Sequence, residues 1–211
     1  MLFRSFLTAN VDAVLMPDKD KAAFAAMLAR VKVSPLPVLA CNGFIRPAHL
    51  RCVGAEANHD EILKWAETCF TRLKQLGGRF IVFGSAGARK LKDNWPEAKA
   101  DEQFIALLKR LGPLAGASEV TVVVEQLRTE ECNYINHLTH AARLIRAAGH
   151  PRVRVLADLY HMACMGDSPQ NLAEAQRILV EERIPHHAIP AVWFYNFLTR
   201  LFGAALPGEA P

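Results

Sequence analysis

Hydrophobic positions along the chain fall into short β-branched runs separated by longer amphipathic stretches, and this unit repeats. Val11–Met16 and Pro37–Cys41 read as strands. Between them, Asp18–Lys32 is rich in helix formers and sets Phe24, Met27, Leu28 and Val31 on one face. Asn58–Leu76 is the clearest helix. Asn58 stands at its start with Glu61 three residues on, Ile62, Trp65, Ala66, Cys69 and Leu73 form its apolar stripe, and Gly77-Gly78 ends it. The alternation continues with a strand at Arg79–Phe83, a helix at Asp101–Leu111 and a strand at Glu119–Val124. A helix at His137–Ala148 stops at Gly149, and a strand follows at Val153–Ala157. Ser168-Pro169 is a cap and first-turn pair for a helix over Gln170–Glu182, and Ile184–Pro190 reads as a last short strand.

This rhythm is βαβα, without a linker or low-complexity tract. Val120–Val124 (VTVVV) shows no alternation of apolar and charged positions, as expected of parallel strands covered on both faces. The fold class is therefore α/β, either an open doubly wound sheet or a (β/α) barrel. No GxGxxG or GxxxxGK[ST] follows the first strand, which weakens dinucleotide and P-loop readings. A full barrel takes about 250 residues, and the chain has 211. The expectation is an incomplete TIM-barrel-like fold of about six or seven βα units, with strands inside and helices outside. Residues 1–211 form one domain on this reading, with 188–211 as a divergent C-terminal helix and tail.

Composition narrows the partners. Of the residues, 51% are hydrophobic and 22% charged, which excludes a disordered chain. The net charge of +4 is spread along the sequence, so nucleic acid is not an expected partner. Five dispersed cysteines without a CxxC pair suggest reduced thiols and a cytoplasmic location. The N-terminus lacks a signal-peptide pattern, and the apolar stretch 188–207 is broken by Pro190, Asn196 and Arg200, so no membrane association is expected.

In parallel α/β proteins the chemistry sits where strands end. Glu125 follows one apolar run, and Asp158, with His161 three residues on, follows the next. Two carboxylates ending successive strands would repel one another unless a cation neutralises them or one is protonated. Oxygen ligands with an imidazole favour Mg²⁺ or Mn²⁺. The plainer alternative is that both acids cap neighbouring helices. Asn42 ends an earlier strand. The loop Gly84–Arg89 offers Ser85, free backbone N–H groups and the Arg89 guanidinium to a phosphate or sugar hydroxyl, or is an ordinary glycine turn.

Four segments together resemble a known family. FGSAGAR (Phe83–Arg89), VVVEQLRTEECN (Val122–Asn133) and VLADLYHM (Val155–Met162), with NGFIRPAHLRCVG (Asn42–Gly54) before them, are similar to the xylose isomerase-like TIM-barrel superfamily. Those are sugar isomerases and epimerases that share a barrel with endonuclease IV-type enzymes. The resemblance runs over roughly residues 10–185. It implies that Glu125 is a metal ligand and acid/base, Asp158 a second ligand, His161 a substrate contact and Glu131 a hydrogen-bonder of sugar hydroxyls. A histidine ligand in an H-x-H segment is also implied. Here His186-His187-Ala188 puts Ala188 at that position, so His187 serves only if the strand slips by one residue. The arginine after it and a last-strand glutamate have no match, since Glu209 lies in the tail, and the first barrel strand has no counterpart.

The implied chemistry is proton abstraction next to a carbonyl through an enediolate on a sugar or sugar phosphate, with manganese or magnesium, or zinc or cobalt, as Lewis acid. The alternatives are a catalytically inactive barrel kept for binding or assembly, a metal-free sugar- or carboxylate-binding enzyme, and an endonuclease IV-type phosphodiesterase. Open strand edges of an incomplete barrel lead to an expected homo-oligomer, or to cover by a helix at Val192–Ala205.

Overall fold

The computed structural model describes residues 7–92 and 94–180. Five parallel strands, β1 (Leu7–Asn10), β2 (Val38–Asn42), β3 (Phe80–Phe83), β4 (Thr121–Glu125) and β5 (Val153–Leu156), form one sheet in the order β1-β2-β3-β4-β5. Helices alternate with them: α1 (Val11–Val14), α2 (Lys21–Lys32), α3 (His59–Gln75), α4 (Ala86–Arg89), α5 (Glu97–Ala117), α6 (Leu138–Ala148), α7 (Leu159–Met165) and α8 (Pro169–Val180). Sequential neighbours, all parallel and joined by helices, make the α/β barrel-type architecture that the alternation predicts. The strand expected at Ile184–Pro190, the tail from 188 and His187 lie outside the described residues. No helix among those described is long and apolar enough to cross a membrane.

The first strand is displaced from its expected place. Val11–Met16 is not a strand: β1 lies upstream, and Val11–Val14 is a helical turn. The cause is local. Asn10 caps the turn by accepting the Asp12 N–H at 3.0 Å. Val11 and Leu15, four residues apart, are the members that become fully buried, which is helical rather than strand spacing. Arg72 of α3 then donates to the carbonyls of Leu15, Met16 and Lys19, which binds this turn to the helix layer.

Other boundaries move less. α2 starts at Lys21 because Asp20 accepts the Ala23 N–H at 2.8 Å. α5 overruns the expected Asp101–Leu111 at both ends and contains Pro113, since Leu111 and Ala115 continue its buried stripe past Gly112-Pro113. Asn58 does not cap α3 through its side chain; its Oδ1 accepts the Arg51 N–H at 2.8 Å instead. α6 ends at Gly149 in the left-handed conformation, φ 65°, as expected.

Strand alternation sorts the core into two layers. Val122 and Val124 of β4 point to the helices and join the main core, in which the rings of Phe70, Phe44, Phe83, Phe104 and Tyr134 follow one another at 5.2–6.0 Å between centroids. The opposite face carries a separate cluster, Ala40, Val82, Val123 and Leu156, all buried. Two residues beyond each of these, on the same face, stand Asn42, Gly84, Glu125 and Asp158. The apolar inner layer thus leads directly into a polar layer at the C-terminal ends of four strands.

Candidate active site

A pocket of about 270 Å³ opens at those strand ends. Its wall includes Asn42, Ser85, Glu125, Glu131, Asp158 and His161, six of the residues that the sequence singles out. Glu125, Asp158 and His161 each offer a ligating atom, and these atoms all lie within 4.8 Å of one another. Glu125 is the last residue of β4, and Asp158 follows β5 after one residue. Gly84 leaves room for this meeting: a Cβ there would stand 2.4 Å from Glu125 Oε2.

Glu125 opens to the pocket along part of its surface, yet its carboxyl is surrounded closely enough that burial is the main cause raising its pKa to about 8. The neighbouring Asp158 charge, and a hydrogen bond shared with it, push the same way, and the Arg89 guanidinium opposes them. Asp158 fills both roles weighed for it. Its Oδ1 caps α7, accepting from the N–H groups of Tyr160 at 2.8 Å and His161 at 3.3 Å. The same carboxylate faces Glu125.

His161 is almost wholly buried, and its Nδ1 accepts the Arg128 N–H at 3.3 Å. The neutral ring therefore carries its proton on Nε2. Glu131 accepts from Arg128 Nε at 3.1 Å, and Arg128 lies over the Tyr160 ring. Ser85, at φ 39°, turns its Oγ to accept the Ile45 N–H at 3.0 Å, so it also anchors the loop after β2.

Arg89 departs from expectation. It is neither a solvated turn residue nor part of the pocket wall, but fully buried behind the strand end. The short helix α4 turns it inward, where its Nη2 donates to the Glu125 carbonyl at 3.0 Å. Two polar residues of the wall are not among those the sequence singles out: Asn10 ends β1, which starts four residues before the expected strand Val11–Met16, and Arg46, four residues past Asn42, reaches the wall from a loop. A second group with metal-ligand spacing, Glu97, Asp101 and His140, sits more openly between α5 and α6. There Asp101 already accepts from Tyr134 Oη at 2.8 Å and pairs with His140 at 2.9 Å.

Comparison with known proteins agrees with this fold. No curated protein matches the chain. Among solved structures, D-psicose 3-epimerase with D-tagatose from Clostridium cellulolyticum H10 superposes with a TM-score of 0.67 at 15% identity, covering 81% of this chain and 58% of that one. The 3-keto-D-glucoside 4-epimerase from E. coli gives 0.64 at 20% identity, covering 85% and 65%. The IOLI protein with a bound zinc atom gives 0.63 at 16% identity, covering 83% and 60%. The chain spans about three fifths of the length of such structures, and at these identities the likeness is one of fold. The family model for the xylose isomerase-like TIM barrel matches residues 6–192, and the chain belongs to that family.

Proposed function

We propose that the protein is a divalent-metal-dependent isomerase or epimerase acting on a sugar or sugar derivative next to its carbonyl group. The observation that carries this reading is the meeting of Glu125 and Asp158 at the ends of adjacent strands, one of them with its proton affinity raised towards neutrality. Two touching carboxyls are unfavourable without a proton or cation between them, and their oxygen atoms suit a divalent ion such as Mn²⁺ or Mg²⁺. Glu125 and Asp158 would hold such an ion. When bound, it would supply Lewis-acid stabilisation of negative charge on the substrate oxygens.

The chain's own groups account for the rest. Glu125 is the acid/base that removes the proton from the carbon next to the carbonyl; isomerisation delivers it to the neighbouring carbon, and epimerisation takes a second group that protonates the opposite face. His161, with its proton on Nε2, donates to a substrate oxygen rather than serving as a third ligand. Asn42, Ser85 and Glu131 orient hydroxyl groups. Arg89 acts from behind the strand, holding the Glu125 carbonyl and tempering the rise in its proton affinity.

A panel of ketoses assayed with Mn²⁺ tests the proposal. Wild type converts at least one of them, Glu125→Gln loses activity by about 10²–10⁴-fold, the usual share of a general base, and metal analysis finds one ion per chain. Equal rates in the two proteins would remove Glu125 from the chemistry. Failure to retain any metal after Mn²⁺ loading would favour a non-catalytic binding role.

A further inference from the structure

The two ends of the pocket differ in charge. At the β4 and β5 end stand three acidic side chains, Glu125, Glu131 and Asp158. At the β1 and β2 end stand Asn10, Asn42, Gly43 and Arg46. Arg46 is held in a particular way. Asp12, from the turn after β1, forms an ion pair with its Nε at 2.6 Å. This leaves the Nη1–Nη2 edge without a hydrogen bond among the described residues, and that edge is the fork that matches a carboxylate or phosphate.

Gly43 gives the guanidinium its seat. Its φ is +66°, and a Cβ there would meet Asn10 Nδ2 at 3.1 Å and Arg46 Nη1 at 3.6 Å. Beside it, Asn42 Oδ1 is buried and has no partner among the described residues. A buried acceptor left unmatched is costly, and a substrate hydroxyl would satisfy it. From β2 to β4 is two strand spacings, roughly 10 Å. That is about the reach of an open sugar chain bearing a terminal oxyanion.

Resting on the isomerase reading, we propose that the substrate is an anionic sugar with a phosphate or carboxylate at the end away from its carbonyl. The Nη1–Nη2 edge of Arg46, pinned by Asp12, grips that oxyanion, and Asn42 Oδ1 accepts a hydroxyl between the two ends.

Calorimetry on the Mn²⁺-loaded protein tests this with D-fructose, D-fructose 6-phosphate and D-fructuronate. One of the two anionic sugars binds at least tenfold more tightly than fructose, and which one identifies the oxyanion as phosphate or carboxylate. In Arg46→Gln the ratio of affinities falls to about one, and Arg46→Lys, which keeps the charge but not the fork, recovers part of it. The Arg46 side chain is 56% exposed, so these variants should fold, with an unchanged Tm as the check. Equal affinity for all three sugars in wild type, no binding of any, or a preference that survives Arg46→Gln would each overturn the proposal. Inorganic phosphate separates the two claims. Arg46-dependent phosphate binding by a protein that retains no Mn²⁺ and converts no ketose would sink the isomerase reading and leave the anion site standing.

Discussion

At the scale of single residues, the position of the Glu125 carboxylate depends on an absent atom. The 2.4 Å between a Cβ at Gly84 and Glu125 Oε2 is too short to persist, and the flexible end of the glutamate is what would yield. Gly84→Ala should therefore cost little stability, on the order of 1 kcal/mol, while Mn²⁺ affinity falls by about tenfold or more. Thermal melts and metal titration measure both, and unchanged affinity would show that the carboxylate has another place to go. Glu125 also leaves a mark on stability. Its folded pKa of about 8 lies above the usual carboxyl value of 4.5, so the native state binds a proton that the unfolded chain has released. Its contribution is complete below about pH 4.5 and is lost as pH rises through about 8. The Tm of metal-free wild type should decline over that window, the decline should be shallower in Glu125→Gln, and a saturating divalent cation should abolish it. These roles were legible in part. Glu125 and Asp158 stand out because each directly follows an apolar run, where a parallel sheet places its chemistry. The inward turn of Arg89 was not, since nothing in a GSAGAR string says which way a four-residue helix faces.

At the scale of elements, Asp158 joins the site to the helix that carries His161. Its Oδ1 satisfies two backbone N–H groups at the start of α7, so the local helix and the site share one side chain. The two functions separate by substitution. Asn accepts the same hydrogen bonds without the charge, so Asp158→Asn should melt close to wild type and lose metal binding. Asp158→Ala should lose metal binding and also about 1 kcal/mol of stability with the cap. If Asp158→Asn bound Mn²⁺ as wild type does, Asp158 would be a cap alone. Elements were readable where periodicity was long: α3, α6 and the strands β2 to β5 lie within a few residues of expectation. The failures share a cause. Val11–Met16 is apolar and β-branched, but its capping Asn10 and the burial of Val11 and Leu15 outweigh strand propensity. The expected helix ends at Leu111, yet tertiary burial of Leu111 and Ala115 carries α5 through Gly112-Pro113.

At the scale of the whole molecule, the sheet joins the apolar layer to the polar one. Parallel pairing keeps every C-terminal strand end on one side, and the register sets Asn10 beside Asn42 and Val82 beside Val123. A single strand position therefore separates Ala40, Val123 and Leu156 of the buried cluster from the pocket wall, and Val82 reaches the wall itself. This arrangement was legible as a fold class because continuous apolar runs imply strands covered on both faces. The pairing at the sheet's two ends was not, because it depends on what lies beyond β1 and β5. Among the described residues each of those strands is hydrogen-bonded on one side only. Open parallel edges attract other strands unless something covers them, so the expected outcome is self-association. Sedimentation equilibrium over a range of concentrations should then give a mass that is a multiple of 23.4 kDa. Amide exchange at Leu7–Asn10 and Val153–Leu156 should slow as concentration rises, because an edge paired between chains is protected only in the assembly. A constant mass of one chain, with exchange at both edges independent of concentration, would overturn association and assign the cover to residues of the same chain.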